Sequence, residues 1–429
     1  MVLHNIISST EKNICMLFVL CYTSAECMQE RFKIQHSTSM RLLPEVTMSP
    51  REPKRDCNST TPFIQEHGQD DRKVKRIYKK HIGIDRSLIK DLTQPPTPLQ
   101  SPRSNSKTIF SFDGGGIRGV IPATICKTIE AELTSDTTIK NLGDMFAGTS
   151  IGGVLASNYS FENGMSSEDV QNIFITDGAN MFKQTWSNYL TCGLKTPKYY
   201  ANGRRDLFNT LFADKRLSET NKDLICTGLN LNNQKPIFFK SRKAKLSEAD
   251  DYFISDVCMA TTAAPTYFEP YYMQSYRDIY EAKGGIFVAD GGLVANNPSL
   301  CALAESVKTY KDADVINLVS IGTGYSEQAN IVYENGYASD NLLAWASTVA
   351  DIAVSSPNYI TQYIIDQLVQ SNSIDKKINY YRFNIHLDRK YMDMDNVNTD
   401  NIRALINFTE SDEKLNLQIK EFCKNIREN

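Results

Sequence analysis

Short apolar segments alternate with segments of helical spacing from Lys107 onward. The three clearest apolar segments, each containing or leading into a glycine, are KTIFSF at 107–112, DMFAGT at 144–149 and DVINLVSIG at 314–322. Helical spacing predicts helices at 120–133, from about 151, and at 255–263, 299–310 and 340–371. Strands that alternate with helices predict an α/β fold, a three-layer α/β/α sandwich around a mainly parallel central sheet.

Two further patterns complete the predicted secondary structure. The segments DLICTGLNL (223–231) and KPIFFKS (235–241) flank Asn232-Asn233-Gln234, which predicts an antiparallel hairpin. YYRFNI at 380–385 predicts another strand, and a last amphipathic helix is predicted from Asp400 to about Cys423.

The first part of the chain has a different composition. Residues 1–104 lack sustained periodicity and carry 16 Lys and Arg against 11 Asp and Glu, and the segment 93–106 reads TQPPTPLQSPRSNS. Prolines favour extended backbone and cannot donate backbone hydrogen bonds. We predict a basic, largely disordered leader and Pro/Ser linker at 1–104 and a folded domain at 105–429, with a core at 107–324 and a C-terminal helical region at 325–429.

Charge and hydropathy exclude some classes of protein. The 429 residues include 47 Lys and Arg and 50 Asp and Glu, so the net charge of -3 gives no electrostatic footprint for nucleic acid. The longest apolar run, 14–22, is too short to span a bilayer, which needs about 20 residues. The ten cysteines form no CxxC pair and favour a reducing compartment, so we expect a cytoplasmic or peripheral membrane protein. The signal-like segment 14–25 keeps a secreted protein as the alternative.

The first candidate site is DGGGIRG at 113–119. Consecutive glycines after a strand and before a helix allow backbone N–H groups to converge on one anionic oxygen. The same segment matches G-x-G-x-x-G, which leaves open a nucleotide- or phosphate-binding α/β protein. That alternative fits less well, because Asp136 does not follow a second strand where a ribose-binding acid would.

The second candidate site is GTSIGG at 148–153, which contains G-x-S-x-G with Ser150 at its centre. A serine hydroxyl becomes a useful nucleophile when a sharp strand-to-helix turn projects it toward a base. Gly148 and Gly152 would permit this turn, and the strand and helix patterns on either side supply its context.

The base is predicted from the histidine distribution. Of five histidines only His386 lies after residue 104, and it sits in a strand-like segment. A Ser-His-Asp triad is therefore poorly supplied. Asp290 in VADGGL follows an apolar strand and precedes two glycines, so it could approach a serine directly.

Together these segments resemble the patatin-like phospholipase family. DGGGIRG is similar to its oxyanion-hole motif, GTSIGG to its nucleophile elbow and DGG at 290–292 to its dyad aspartate motif. ATTAAPTYFEP at 260–270 also resembles the family segment that precedes this aspartate. The likeness is clear over 107–297 and weaker through 315–324 and the C-terminal helix.

The resemblance implies a phospholipase A-type lipid acyl hydrolase that works through an acyl-enzyme, with 105–429 as the catalytic domain. Ser150 would be the nucleophile and Asp290 the general base. The oxyanion would bind N–H groups around Gly114, Gly115 and Gly116, with Arg118 supporting that loop or the substrate phosphate. It implies no metal and no cofactor. The partner would be phospholipid or another acyl lipid at a membrane surface. A catalytically silent lipid-binding protein remains a further alternative, and the need for a protein activator stays open.

Overall fold

The computed structural model describes residues 105–133, 137–183, 197–327, 333–334, 337–338, 342–371 and 373–428, with side chains in all of these except 333–334, 337–338 and 342–355. The predicted leader at 1–104 and the signal-like segment at 14–25 lie outside the described residues. The domain boundary therefore stays a prediction.

The fold is built around a central sheet. The strands are β1 Ser106–Phe112, β2 Met145–Gly148, β3 Asp223–Asn230, β4 Lys235–Lys240, β5 Tyr271–Met273, β6 Ile286–Asp290, β7 Val315–Ile321, β8 Tyr333–Glu334, β9 Tyr337–Ala338 and β10 Lys377–Phe383. Among the described strands, eight form one sheet in the order β10-β7-β1-β2-β3-β6-β5, with β4 also paired to β3. β8 and β9 pair separately.

The two halves of the sheet differ in strand direction. β10, β7, β1, β2 and β3 run parallel to one another. β4 and β6 are antiparallel to β3, and β5 is antiparallel to β6. The predicted hairpin at 223–241 is confirmed as β3 and β4. The antiparallel pairings of β6 with β3 and of β5 with β6 were not predicted, because β6 lies far from β3 in the sequence.

Helices cover both faces of the sheet. They are α1 Val120–Glu132, α2 Ile139–Leu142, α3 Ile151–Tyr159, α4 Ser167–Thr176, α5 Gly178–Met181, α6 Asn202–Phe212, α7 Ser241–Ala244, α8 Ile254–Thr261, α9 Tyr276–Tyr280, α10 Gly292–Ala295, α11 Ser299–Thr309, α12 Leu342–Gln370, α13 Thr399–Ser411 and α14 Glu413–Glu428. Short 3₁₀ helices occupy Gly116–Gly119, Leu217–Glu219 and Arg389–Tyr391.

The core has two compartments because the strands are apolar on both faces. Phe110 and Phe146 pack with α1, α3, α4, α6, α8, α13 and α14 in the larger compartment. Ile109 and Met145, one residue away on the same strands, pack with α11 and α12 on the other face. Successive residues of a strand point to opposite faces, so this alternation produces the predicted three layers, α/β/α.

α12 corresponds to the helix predicted at 340–371 and contains Pro357. No helix in the described part of the chain combines the length and apolar content needed to cross a bilayer.

The prediction of one final helix is wrong. The chain forms α13 and α14, separated at Asp412, whose backbone is extended with φ -72° and ψ 102°. The Asp412 side chain accepts a hydrogen bond at 2.9 Å from the N–H of Leu415, in the first turn of α14. An aspartate at this position satisfies a free helical N–H and favours a new helix start over continuation. Apolar periodicity passes through such a break without marking it.

α14 is attached to the sheet through Phe422. This side chain is fully buried, and its ring lies edge-on to Tyr381 and Phe383, with centroid distances of 4.9 and 5.7 Å. We expect Phe422→Ala to lower the free energy of unfolding by about 3–5 kcal/mol, because it removes a buried ring and leaves a cavity. Urea denaturation measures this, with Leu417→Ala, whose residue is 68% exposed on the same helix, as control. Equal stability of the two variants would contradict this packing.

Candidate active site

Ser150 occupies the turn between β2 and α3. Its backbone has φ 54° and ψ -127°, in a region that residues with a side chain rarely adopt. Strain of this kind persists only where the surrounding structure holds it. Its N–H donates to Thr261 Oγ1 at 2.9 Å, and its carbonyl oxygen accepts the N–H of Gly153 at 2.8 Å. The hydroxyl is thereby presented at the carboxyl end of the parallel strands.

The glycines of this turn are required by space. A Cβ on Gly148 would lie 2.1 Å from the carbonyl oxygen of Gly152, and a Cβ on Gly152 would lie 2.3 Å from that of Phe112. These contacts are with backbone, which cannot swing aside. Gly148 and Gly152 therefore allow α3 to start directly against β1 and β2.

Asp290 reaches Ser150 from the antiparallel side of the sheet. β2 ends at Gly148 opposite Cys226 of β3, and β6 ends at Asp290 opposite Gly228 of the same strand. The two chain segments therefore end two residues apart along β3. The Ser150 hydroxyl donates to Asp290 Oδ2 at 2.7 Å.

The environment of Asp290 shifts its acidity. The residue is 4% exposed, and its Oδ1 accepts the N–H of Gly292 at 2.7 Å. Burial raises the pKa of the Asp290 carboxyl to about 6, while the bonds from Gly292 and Ser150 and the charge of Arg204 act in the opposite direction. A carboxyl with a pKa near 6 is mostly ionised at neutral pH and is a stronger base than an exposed aspartate.

Arg204 is a site residue that the sequence did not reveal. It lies on α6, is 3% exposed, and donates from Nη1 to both the carbonyl oxygen and Oγ1 of Thr262, each at 2.6 Å. Its guanidinium lies 3.5 Å from the centroid of the Phe268 ring. Burial lowers the pKa of Arg204 to about 9, so it stays cationic at neutral pH and favours the ionised form of Asp290.

Three threonines connect the serine turn to the aspartate loop. Thr149 Oγ1 and Thr227 Oγ1 are 2.7 Å apart, and Thr149 also donates to the carbonyl oxygen of Ala295 at 2.6 Å. Thr261 Oγ1, which accepts the Ser150 N–H, donates to the carbonyl oxygen of Thr227 at 2.7 Å. A fully bonded buried network of this kind fixes the distance between the elements it joins.

One predicted oxyanion donor in the glycine loop, the N–H of Gly114, is already hydrogen-bonded within the protein. The N–H of Gly114 donates to the carbonyl oxygen of Asn296 at 3.0 Å and is not available to a substrate. Within the described ranges, no acceptor is bonded to the N–H groups of Gly115, Gly116 or Ile151. Ile151, the first residue of α3, was not predicted as a candidate oxyanion donor. Every helix leaves its first N–H groups unpaired, so the residue type at this position does not distinguish it.

The structure also distinguishes the two roles considered for Arg118. The side chain is buried, and Nη1 lies 3.4 Å from the carbonyl oxygen of Gly324 and 3.4 Å from Met392 Sδ. These contacts favour support of the loop over contact with a substrate phosphate.

His386, the one histidine after residue 104, is exposed, and its ring lies edge-on to Tyr325 at a centroid distance of 5.6 Å.

The sequence also has counterparts among known proteins. The sequence model of the family described as "Patatin-like phospholipase" matches residues 110–303, which include Ser150 and Asp290. Residues 110–303 are similar to the patatin-like phospholipase family. The matched segment stops before β7, so the remaining strands and helices of the fold lie beyond it.

Several curated relatives of this patatin-like chain align with it. A cGAMP-activated phospholipase of Escherichia coli (strain TW11681) is 30% identical over 234 residues, covering 51% of this chain and 63% of that protein. Patatin-like protein 2 of Oryza sativa subsp. indica is 30% identical over 215 residues, covering 47% and 53%. "Probable inactive patatin-3-Kuras 1" of Solanum tuberosum is 27% identical over 301 residues, covering 64% and 77%. The chain spans between about half and two thirds of the length of the first two relatives.

Among solved structures, VipD from Legionella pneumophila has 13% identity, coverage of 71% of this chain and 67% of its own, and a TM-score of 0.32.

Measurements of protein stability test whether the turn at Ser150 requires glycine at position 152. We expect Gly152→Ala to lower the free energy of unfolding by about 1–3 kcal/mol or more, because its Cβ would crowd the carbonyl oxygens of Phe112 and Asp113. Gly284→Ala is the matched control, since a Cβ there meets nothing within 4 Å. Chemical denaturation of both variants measures the difference, and a Gly152→Ala protein as stable as the control would contradict the packing of the turn.

Proposed function

We propose that this chain is a lipid acyl hydrolase of phospholipase A type, which cleaves acyl ester bonds of phospholipids or related lipids with Ser150 as nucleophile and Asp290 as base. The observation that carries the proposal is the 2.7 Å hydrogen bond from the Ser150 hydroxyl to Asp290 Oδ2. The similarity of residues 110–303 to the patatin-like phospholipase family supports the lipid substrate class.

In the first step Ser150 Oγ attacks the ester carbonyl carbon while its proton passes to Asp290 Oδ2. The Gly292 N–H, bonded to Oδ1 at 2.7 Å, keeps the other oxygen directed at the serine. The carbonyl oxygen becomes an oxyanion, which the N–H groups of Gly115, Gly116 and Ile151 are free to bind. Such donors act because they stabilise charge that develops in the transition state.

In the second step the tetrahedral intermediate collapses. The alkoxide of the lipid alcohol leaves with the proton from Asp290, and the acyl group stays on Ser150 as an ester. Water then attacks this ester, giving its proton to Asp290, and the same N–H groups bind the second oxyanion. Collapse returns the proton to Ser150 Oγ and releases the fatty acid, so one carboxylate performs every proton transfer.

The nucleotide-binding alternative loses support at the glycine loop. A phosphate cradle needs several converging N–H groups. In this loop the N–H of Gly114 is bonded to Asn296 and that of Ile117 to Met394, at 3.0 and 2.8 Å. The carboxylate of Asp113, bound to Arg382, occupies the start of the loop.

Measurements of fatty acid release distinguish the proposed hydrolase from a catalytically silent lipid-binding protein. This alternative needs a test because the name of one curated relative contains the word "inactive". We expect Ser150→Ala and Asp290→Asn each to reduce fatty acid release from phospholipid vesicles by about 10⁴-fold or more, because the nucleophile and its base act as one unit. Ser373→Ala and Asp312→Asn, which change exposed residues, are matched controls expected to keep full activity.

A fluorophosphonate probe supplies the second measurement, and it should modify wild-type protein but not Ser150→Ala. Equal fatty acid release by wild type and both site variants, or no adduct on folded wild-type protein, would remove the proposal.

The pKa of Asp290 predicts the pH dependence. The base must be ionised to accept the serine proton, so we expect kcat/KM to be maximal above about pH 7 and to fall about tenfold per pH unit below about pH 6. A pH–rate profile between about pH 4.5 and 8 measures this, and the rate of fluorophosphonate labelling should follow the same curve. A profile that is flat over this range, or that rises toward acid pH, would contradict Asp290 as the base.

A further inference from the structure

The start of the oxyanion loop is held by a buried ion pair with the last strand of the sheet. Arg382 of β10 donates from Nη2 to Asp113 Oδ2 at 2.5 Å and from Nη1 to Asp113 Oδ1 at 3.1 Å. Only 2% of the Asp113 side chain and 15% of the Arg382 side chain are exposed. Two parallel N–H···O bonds fix both the position and the rotation of a carboxylate, which one point charge does not.

Arg382 is itself held by the register of the sheet. It lies opposite Ser320 of β7, which lies opposite Ser111 of β1. Arg382 Nη1 donates to Ser320 Oγ at 2.7 Å, and Ser299 Oγ lies within hydrogen-bonding distance of Ser320 Oγ and Ser111 Oγ, at 2.7 and 3.0 Å. The guanidinium therefore has a fixed position next to the carboxyl end of β1, where the loop begins.

The residues between this ion pair and the free N–H groups are also bound. The Asp113 N–H donates to the carbonyl oxygen of Ile321 at 3.0 Å, and the Gly114 N–H donates to that of Asn296. Thr323 Oγ1 donates to the carbonyl oxygen of Gly114 at 2.8 Å. The backbone thus reaches Gly115 with little freedom, and the ion pair with Arg382 anchors the side chain of its first residue, Asp113.

We propose that Arg382 is a positioning residue for the hydrolysis: by fixing Asp113 it sets the N–H groups of Gly115 and Gly116 where the oxyanion forms. It acts through Asp113 and touches no substrate atom. Arg382 lies beyond the segment 110–303 that matches the family. The inference rests on the proposed function and adds to it a residue on which the rate of the chemical step depends.

If the ion pair between Arg382 and Asp113 had only a structural role, its loss would have a different effect from the loss of a positioning residue. Loss of a purely structural ion pair would lower stability and the amount of folded protein, but the folded fraction would keep its kcat. Loss of a positioning residue lowers kcat, and with it the affinity for a tetrahedral adduct, in protein that is still folded. A misplacement of about 1 Å in a catalytic group can cost about 100-fold in rate.

The test uses the full-length protein and the variants Arg382→Lys, Asp113→Asn and the double variant. Lysine keeps the positive charge but not the two-pronged geometry, and asparagine keeps the shape of Asp113 but not its second acceptor. We expect kcat about 10- to 100-fold lower in each single variant with KM within about twofold. The double variant should be no slower than the slower single variant, because both changes break the same link.

The decisive readout is a long-chain alkyl trifluoromethyl ketone. Ser150 Oγ adds to its carbonyl carbon, Asp290 takes the serine proton, and the resulting oxyanion needs the same N–H groups as the ester reaction. Its inhibition constant should rise by the same factor by which kcat/KM falls, since both report oxyanion binding. Binding of a non-hydrolysable ether phospholipid, which forms no oxyanion, should be unchanged.

Lys240→Gln is the matched control, because it breaks a partly buried pair with Glu305, whose atoms are 2.6 Å apart, on β4, a strand that pairs with β3. It should change stability without changing kcat. Unchanged kcat and ketone affinity in folded Arg382→Lys, or in folded Asp113→Asn if the first variant does not fold, would overturn the proposal. So would a fall in kcat with unchanged ketone affinity. Failure of the proposed function looks different: wild-type protein would itself release no fatty acid and form no ketone adduct.

Discussion

The hydrogen bond between Ser150 and Asp290 is the contact on which the candidate site depends, and it requires two strands of opposite direction to end at one place. β2 runs parallel to β3 and β6 runs antiparallel to it, and they end opposite Cys226 and Gly228. A fully parallel sheet would not bring the end of β6 to this point from that side. The change of strand direction at β3 therefore brings the hydroxyl and the carboxylate within 2.7 Å.

Burial then gives this pair its chemical character. Asp290 is almost completely shielded from water, which raises its pKa to about 6, while the cationic Arg204 limits the rise. Burial without a nearby cation would favour the protonated acid, and a strong charge pair without burial would leave a weak base. The two effects together describe a carboxylate that can act as a base without a histidine.

The glycine loop shows how much of the site lies outside the segment that the family shares. The N–H of Gly114 donates to the carbonyl oxygen of Asn296, and Thr323 Oγ1 donates to the carbonyl oxygen of Gly114. Arg382 forms an ion pair with Asp113. Asn296 belongs to the loop after Asp290, whereas Thr323 and Arg382 follow the matched segment. The elements that surround the loop come from three distant parts of the chain, so the loop is preorganised by the completed sheet rather than by its own residues.

Features that depend on neighbouring residues could be predicted from the sequence. The strand–glycine–helix pattern around Ser150 predicted the sharp turn, because the close approach of backbones at Gly148 and Gly152 excludes a side chain at either position. Alternating apolar segments predicted the layered fold, and the shortage of histidines favoured an aspartate, Asp290, as the base. Three other contacts between distant residues could not be predicted from the sequence: Arg204 near Asp290, the N–H of Gly114 on Asn296, and Arg382 on Asp113 all depend on strand order and direction. The sequence determines which groups can form hydrogen bonds with nearby residues. Partners that are distant in the sequence are decided only when the sheet forms, because a buried polar group can bond only to the groups that folding brings within reach.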